Sequence, residues 1–279
     1  MTEARRFSQV DVFSAEGIGG NPVAVVIDAD GLSEAQMADF AKWTNLSETT
    51  FVLSPTEPGA DYRLRIFTPQ RELPFAGHPT LGSAHAWLAV GGTPAGELIV
   101  QECGVGLVRI RRTDRLAFAA PDLLRSGPVD PDDLHAICAA LRIDGAEVMD
   151  AAWVDNGPGW VAVRLRDAEA VLALRPDFTA FDGFEIGAVG VWPAGHDAQV
   201  EVRAFTPGSG IAEDPVTGSL NASLGQWLAG TVLPASYVAA QGTALGRRGR
   251  VHVAKDPDGA VWVGGDTHET ITGHLHLPR

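Results

Sequence analysis

Apolar and alternating segments follow one another in the same order in the two halves of the chain. Apolar runs predict a strand early in each half, "NPVAVVID" at 21–28 and "GWVAVRLRD" at 159–167. Strict alternation predicts a second strand in each half, "YRLRIF" at 62–67 and "VEVRAF" at 200–205. The shared order indicates that the two halves have similar architectures.

Helical spacing predicts a helix over 32–44, which begins with a capping box formed by Ser33 and Gln36. Each half then has one strongly apolar helix, over 79–90 and over 215–229. Strands dominate the remaining sequence, so the predicted fold class is α+β, with one central helix per half. One face of the helix over 32–44 is made of Met37, Phe40, Ala41 and Thr44. The two central helices contain small residues that permit close packing, namely Gly82, Ser83, Ala84, Gly218, Ser219 and Ala222.

A long internal repeat accounts for this similarity. The segments 67–88 and 205–228 both begin with Phe-Thr-Pro, continue with Pro-x-x-Gly-Ser and end with Trp-Leu. An offset of 138 aligns Arg65 with Arg203, and it reaches 140 at the glutamines of the two halves. A repeat of this length has the size of a domain, which indicates duplication and fusion.

The domain boundary is predicted in the proline-rich stretch 121–131, just before a helix-like segment, "DDLHAICAAL". The predicted domains are therefore residues 1–120 and 121–279. This division is compatible with packing of the last strand of the second domain on the first domain.

Composition and charge exclude several classes of function. The formal net charge is −14 and no run of Lys or Arg could track phosphates, so nucleic-acid binding is not expected. No apolar segment is long enough to cross a bilayer, and the N-terminal sequence lacks the apolar core of a signal peptide. Two cysteines are too few for a disulfide framework. The sequence thus predicts a cytoplasmic protein without a membrane partner.

The starts of the two central helices are candidate binding sites. Pro79 and Pro215 suit the first turn of a helix, which makes His78 and Asp214 the predicted N-caps. The first-turn N–H groups would carry positive partial charge and could bind a carboxylate. An Asp before Pro is usually a simple cap, and a single His is more often structural than catalytic. Their occurrence in a duplicated loop favours the functional interpretation without excluding the structural one.

Glu48 is the candidate acid/base residue. It lies at the predicted start of a strand in "NLSETTFVL", followed by an apolar run. Partial burial would raise the pKa of its carboxyl group and suit a residue that takes and returns a proton. The offset of 138 aligns Glu48 with Ile186, so the duplicated site would contain one acid and use one-base chemistry. A solvated Glu at the start of a strand is the alternative.

Other chemistries have weaker sequence support. Neither cysteine lies in the repeated loops, so a two-thiol racemase mechanism is not expected, and Cys138 is predicted to be a core residue. His274 and His276 lack a third ligand, so no metal site is predicted. "GIGGNP" at residue 17 does not match a dinucleotide-binding fingerprint.

The sequence resembles the PhzF-like isomerase family, named for phenazine biosynthesis, which has the diaminopimelate epimerase fold. The matching segments, in order, are "DVFSAEGIGGNPVAVV", "NLSETTFV", "RIFTPQRELPFAGHPTLGSAH", "EVRAFTPGSGIAEDPVTGSLNASLG" and "QGTALGRRGRVHV". The resemblance implies two pseudo-symmetric domains, each a barrel-like, mostly antiparallel sheet around a central helix, with the site in the cleft between them. It also implies that the protein needs no cofactor and is commonly a homodimer.

The same resemblance assigns roles to individual residues. Glu48 of "SETTF" matches the catalytic acid/base of the family, and Gly77 and His78 of "AGHPT" match its first substrate loop. Asp214, Gly218 and Ser219 of "EDPVTGS" match the second loop.

In the characterised phenazine enzyme, the reaction is the isomerisation of a dihydro-hydroxyanthranilate. The expected function is therefore a cofactor-independent isomerase, in which one carboxylate moves a carbon-bound proton of a small carboxylate-bearing amino or hydroxy acid. A non-catalytic binding protein and a one-base amino-acid epimerase are the alternatives.

Overall fold

The structure is a computed structural model that describes residues 4–277. Internal contacts divide the chain into two units. Unit 1 contains the described residues up to Ala119 and those from Gly264 onward, whereas unit 2 runs from Ala120 to Val263. None of the helices in the described part of the chain is both long and apolar enough to cross a membrane.

The elements follow the chain in an order that repeats. The strands are β1 (Ala4–Val12), β2 (Asn21–Val26), β3 (Glu48–Leu53), β4 (Tyr62–Phe67), β5 (Glu72–Leu73), β6 (Ile99–Cys103), β7 (Gly106–Arg112), β8 (Leu116–Ala119), β9 (Arg125–Pro128), β10 (Val148–Asp155), β11 (Trp160–Leu165), β12 (Glu185–Val191), β13 (Val200–Thr206), β14 (Ile211–Asp214), β15 (Ser236–Gln241), β16 (Gly249–Lys255), β17 (Val261–Gly265) and β18 (Thr267–His276). The helices are α1 (Glu34–Thr44), α2 (Gly77–Ala89), α3 (Pro131–Leu141), α4 (Ala168–Ala173) and α5 (Gly218–Leu228).

The two units share one pattern of strand pairing. In unit 1, β1 pairs antiparallel with β18 and β2, β2 pairs in parallel with β3, and β3 pairs antiparallel with β4. β4 then pairs with β5 antiparallel and with β6 in parallel. In unit 2, β10 to β15 repeat the pattern of β1 to β6, including both parallel pairs. The predicted α+β class with mostly antiparallel strands is confirmed.

Each unit has a central helix, as the sequence predicted. α2 is buried along nearly its whole length and contacts β1, β2, β3, β4, β8 and β18 of unit 1. Gly82 permits this close approach, because a Cβ atom there would lie 2.3 Å from Val23 Cγ1. In unit 2, α5 contacts β10 and β16, and a Cβ atom on Gly225 would lie 2.7 Å from Val253 Cγ1. A helix that is buried on all sides requires such small residues where strands cross it.

The other predicted helices also form. α1 begins with the expected capping box of Ser33 and Gln36. α3 has Pro131 in its first turn and buries Cys138, as predicted for this core residue. The predicted face of α1 is buried through Met37, Phe40 and Ala41, which pack on Phe51 and Phe67, while Thr44 is half-buried.

The register of the repeat differs from the sequence alignment before the Phe-Thr-Pro turns. Thr49 faces Phe67 across β3 and β4, and Ile186 faces Phe205 across β12 and β13. The counterpart of Thr49 is therefore Ile186. The alignment of Glu48 with Ile186 was wrong by one residue, because a fixed offset cannot follow the extra residue in the connection between β12 and β13.

The register also changes after these turns. Arg65 forms an ion pair with Glu72 at 2.5 Å, and its repeat partner Arg203 forms one with Glu213 at 2.7 Å. These glutamates are 141 positions apart, as are the first residues of α2 and α5. The turn in unit 2 is thus three residues longer. The Pro-x-x-Gly-Ser motifs consequently do not occupy equivalent positions.

Candidate active site

Glu48 and His78 come together in unit 1. Glu48 is the first residue of β3 and pairs in register with Val23 of β2. His78 is the second residue of α2. Glu48 Oε2 lies 3.4 Å from His78 Nε2, with 14% of the Glu48 side chain and 3% of the His78 side chain exposed. The structure thus places the predicted acid/base residue against the predicted substrate loop.

His78 is neutral in this environment. Burial lowers the pKa of its imidazole to about 3, although a hydrogen bond to the backbone carbonyl of Pro22 opposes the shift. Among the described residues, Nε2 has no hydrogen-bond partner within the usual distance, so the ring nitrogen that donates to Pro22 is Nδ1. Nε2 of the neutral ring is therefore an acceptor that faces Glu48.

The face of β3 that points toward α2 has a second polar residue, Thr50. Thr50 and Ser83 of α2 share a hydrogen bond of 2.8 Å between their hydroxyl oxygens. Residues two apart on a strand lie on one face, so Glu48 and Thr50 both face α2. The orientation of Glu48 toward the start of α2 is thus set by the strand itself.

In unit 2, Gly218 and Ser219 begin α5. Asp214 is the last residue of β14, and its Oδ2 accepts a hydrogen bond of 2.6 Å from Thr217 Oγ1. Ser219 Oγ accepts a hydrogen bond of 3.1 Å from Trp160 Nε1. The three site residues predicted in this unit therefore lie within the six-residue segment 214–219, which contains the start of α5.

The predicted N-caps were wrong. The N-cap of α2 is Ala76, so His78 lies within the first helical turn. The N-cap of α5 is Thr217, and Asp214 precedes it because β14 continues to pair with β13 as far as that residue. The glycines that open the helices, Gly77 and Gly218, occupy equivalent positions. His78 and Ser219, which follow them, are the true counterparts.

Three residues that support the second loop were missed by the sequence analysis. Asn156 donates from Nδ2 to the Ser219 carbonyl at 2.9 Å, and Trp160 donates to the same residue. Gln241 accepts at Oε1 from the Thr217 N–H at 3.0 Å and donates from Nε2 to Thr217 Oγ1 at 2.8 Å. Only Gln241 had a signal in the sequence, because it is repeated.

Gln101, the repeat partner of Gln241, makes similar contacts in unit 1. Gln101 donates from Nε2 to Thr80 Oγ1 of α2 at 3.0 Å, and it accepts from Tyr62 Oη at 3.0 Å. A buried glutamine thus anchors the first turns of the central helix in each unit. These contacts fix the starts of both central helices.

The described residues contain no cluster of three or more His, Cys, Asp or Glu side chains arranged to hold a metal ion. The chemistry available at the two helix starts is that of carboxyl groups, a neutral imidazole, a hydroxyl group and backbone N–H groups. Such groups can bind a carboxylate and transfer protons.

Comparisons with known proteins agree with this fold. The structure is similar to that of a PhzF-family phenazine biosynthesis protein from Enterococcus faecalis, with a TM-score of 0.80, 27% identity and coverage of 99% of this chain and 100% of the other. A hydroxyproline epimerase from Agrobacterium vitis shares the fold alone, with a TM-score of 0.55 and 14% identity over 98% and 91% of the two chains. The two likenesses identify the fold as the diaminopimelate epimerase-like fold.

The chain belongs to the phenazine biosynthesis-like protein family, whose sequence model matches residues 10–273. It is 35% identical to trans-2,3-dihydro-3-hydroxyanthranilate isomerase from Pseudomonas aeruginosa, over 98% of this chain and 99% of the relative. It is 38% identical to antisense-enhancing sequence 1 of Schizosaccharomyces pombe, with coverage of 98% and 99%. The predicted family, fold and isomerase class are confirmed at the level of the family.

Proposed function

We propose that the protein is a cofactor-independent isomerase that moves a carbon-bound proton, with Glu48 as its acid/base residue. The observation that carries the proposal is the distance of 3.4 Å between Glu48 Oε2 and Nε2 of the buried, neutral His78. An acceptor nitrogen beside the carboxyl group favours its protonated form, which is the form that Glu48 takes after it accepts the proton.

The proton transfer uses the two side chains differently. Ionised Glu48 takes a proton from a substrate carbon and becomes a neutral acid. In this form it donates a hydrogen bond to His78 Nε2, which is an acceptor because Nδ1 donates to Pro22. The acid then gives the proton to a second carbon. His78 orients the carboxyl group in its protonated form and keeps its own charge at zero.

The helix starts supply substrate binding. The first-turn N–H groups of α2 at Gly77 and His78, and those of α5 at Gly218 and Ser219, carry positive partial charge and favour a carboxylate. Asp214 supplies an acceptor for an amino or hydroxyl group of the substrate. These groups are suited to a small substrate that has a carboxylate and at least one further polar group.

Relatives named as trans-2,3-dihydro-3-hydroxyanthranilate isomerases act on a compound of this class. We therefore propose a small cyclic amino or hydroxy acid as the substrate class. We also propose a homodimer, because the family resemblance implies one. Light scattering at several protein concentrations would test that assembly, and a monomer at all of them would refute it.

The role of Glu48 is tested with Glu48→Gln, which keeps the size of the side chain but cannot carry the proton. Incubation with trans-2,3-dihydro-3-hydroxyanthranilate in deuterated water should give isomerised, deuterium-labelled product with the natural protein. The variant should lose at least about 100-fold in rate while it still binds the compound. Glu34→Gln, on the exposed start of α1, is the matched control and should keep full activity. Unchanged turnover by Glu48→Gln would refute the assignment.

A further inference from the structure

A cavity in unit 2 opens on the side of β14 that Asp214 points away from. It has a volume of about 630 Å³, and the residues that line it lie between positions 142 and 245, all within unit 2. Glu213 is one of them, and Asp214 is the next residue of the same strand. Neighbouring residues of a strand point to opposite faces. The cavity therefore differs from the region around the start of α5, and its volume is that of a small-molecule site.

The lining of this cavity carries a net positive charge. Three of its residues are arginines, namely Arg142, Arg175 and Arg203. Arg203 donates from Nε and Nη2 to the Glu213 carboxylate at 2.8 and 2.7 Å, so the charges of this pair cancel. Arg142 is balanced in the same way by Asp177, which lies 2.6 Å from its Nη2. Arg175 is left to supply one positive charge to the cavity.

Arg175 is bonded to carbonyl groups and not to a carboxylate in the part of the chain that the structure describes. Its Nη1 donates to the carbonyls of Leu172 and Leu174 at 3.0 and 2.7 Å. Arg203 Nη1 also donates to the Leu174 carbonyl, at 2.9 Å. These bonds cover oxygens that would otherwise repel an anion. Because a guanidinium group has five N–H donors, the other nitrogens of Arg175 can donate to a ligand.

Two large apolar side chains form another part of the lining. Phe178 is 39% exposed and Leu245 is 43% exposed, and both line the cavity. The Phe178 ring stacks on Phe181, with their centroids 5.5 Å apart and an angle of 29° between the ring planes. A flat ring in the cavity would remove apolar surface from water and contact an aromatic side chain. Apolar walls beside a few polar groups are typical of ligand sites.

We propose that this cavity binds a small compound that has a flat apolar ring and one carboxylate. The planar guanidinium of Arg175 matches the geometry of a carboxylate, and the ring contacts Phe178 and Leu245. A single negative charge equals the unbalanced charge of the lining, which favours a carboxylate over a doubly charged phosphate. The proposal concerns a second ligand site and does not depend on the proposed function.

The test uses 2-naphthoate as the probe and uncharged 2-naphthamide as its matched analogue, with affinities measured by isothermal titration calorimetry. The natural protein should bind the naphthoate at least about 10-fold more tightly than the amide, because a hydrogen bond to a charged group is involved. Arg175→Gln should lose about 10-fold in affinity for the naphthoate and keep its affinity for the amide. Arg166→Gln is the matched control, because this exposed arginine of unit 2 pairs with Asp167 and should leave both affinities unchanged.

Leu245→Glu provides an independent test if Arg175→Gln does not fold. The change is made at an exposed position and adds a negative charge to the cavity, so it should weaken binding of the naphthoate more than binding of the amide. Equal affinities for the two compounds, or an Arg175→Gln variant that binds the naphthoate as the natural protein does, would overturn the proposal. Weaker binding in Ser219→Ala with unchanged binding in Arg175→Gln and Leu245→Glu would also overturn it, since the probe would then occupy the start of α5. None of these outcomes alters the deuterium test of Glu48.

Discussion

Trp160 Nε1 donates a hydrogen bond of 3.1 Å to Ser219 Oγ, so a residue in β11 fixes the hydroxyl group at the start of α5. Because the indole occupies a lone pair of this oxygen, the hydroxyl proton is directed away from Trp160. In the proposed function, Ser219 would donate this proton to the substrate carboxylate.

Replacing Trp160 by Phe should weaken substrate binding through Ser219. The variant loses one buried hydrogen bond, which destabilises the fold by about 1–3 kcal/mol, and KM should rise more than kcat falls. Steady-state kinetics and urea unfolding measure the two effects. Trp262→Phe is the matched control, because this indole donates to Asp256 and should affect stability alone. An unchanged KM in Trp160→Phe would contradict the prediction.

Replacing Gly82 by Ala should destabilise unit 1. The added methyl group would lie 2.3 Å from Val23 Cγ1, so either α2 or β2 must shift. Overpacking of this kind costs about 1–3 kcal/mol in the free energy of unfolding. Gly96→Ala is the control, since no atom lies within 4 Å of a Cβ atom there. Equal urea midpoints for the two variants would show that the α2 packing is looser than described.

Replacing Gln241 by Met should release the start of α5. Thr217 N–H and Asn221 Nδ2 both donate to Gln241 Oε1, at 3.0 and 2.9 Å, and the variant removes this acceptor from buried surroundings. Each buried group that loses its partner costs about 1–3 kcal/mol. Hydrogen exchange of the Thr217 amide should accelerate together with a lower unfolding midpoint. Exposed Gln70→Met should change neither, and slow exchange at Thr217 in Gln241→Met would refute the anchoring role.

The sequence predicted local structure well because local structure has local causes. The capping box of Ser33 and the alternation in 62–67 determine α1 and β4 within a few residues. The predicted family and the two central helices followed from motifs of similar range. The residues around Ser219 could not be found in this way, since Trp160 and Asn156 are 59 and 63 positions distant.

The alignment of the two halves by a fixed offset failed for a related reason. A fixed offset aligns the two halves correctly only where neither half has an insertion. The strand pairings show one insertion in unit 2 before Phe205 and another after it. The pairings also make Glu185, which precedes Ile186 at the start of β12, the positional counterpart of Glu48. The true asymmetry lies elsewhere: the position of Asp214 opposite Ala204 corresponds to that of Leu73 opposite Ile66. Strand pairing, unlike sequence identity, identifies equivalent residues directly.

Neutral His78 should make the stability of the protein depend on pH. Its folded pKa of about 3 lies below the value near 6.5 of an unfolded chain. The unfolded state therefore binds more protons between these values, and stability falls as pH decreases. The contribution of the neutral ring is fully present above pH 6.5 and is lost progressively toward pH 3. From pH 6.5 to pH 5 the loss is about 2 kcal/mol.

Urea unfolding at pH 7 and pH 5 measures this loss when the natural protein is compared with His78→Gln. The variant has no imidazole at this position, so its unfolding free energy should fall less over the same range, by about 2 kcal/mol. His135→Gln, at an exposed position of α3, should keep the pH dependence of the natural protein. The comparison uses the change with pH, so any destabilisation common to both pH values cancels. Parallel pH profiles for the natural protein and His78→Gln would mean that the ring accepts a proton in the folded state, and His78 Nε2 could then no longer serve Glu48 as an acceptor.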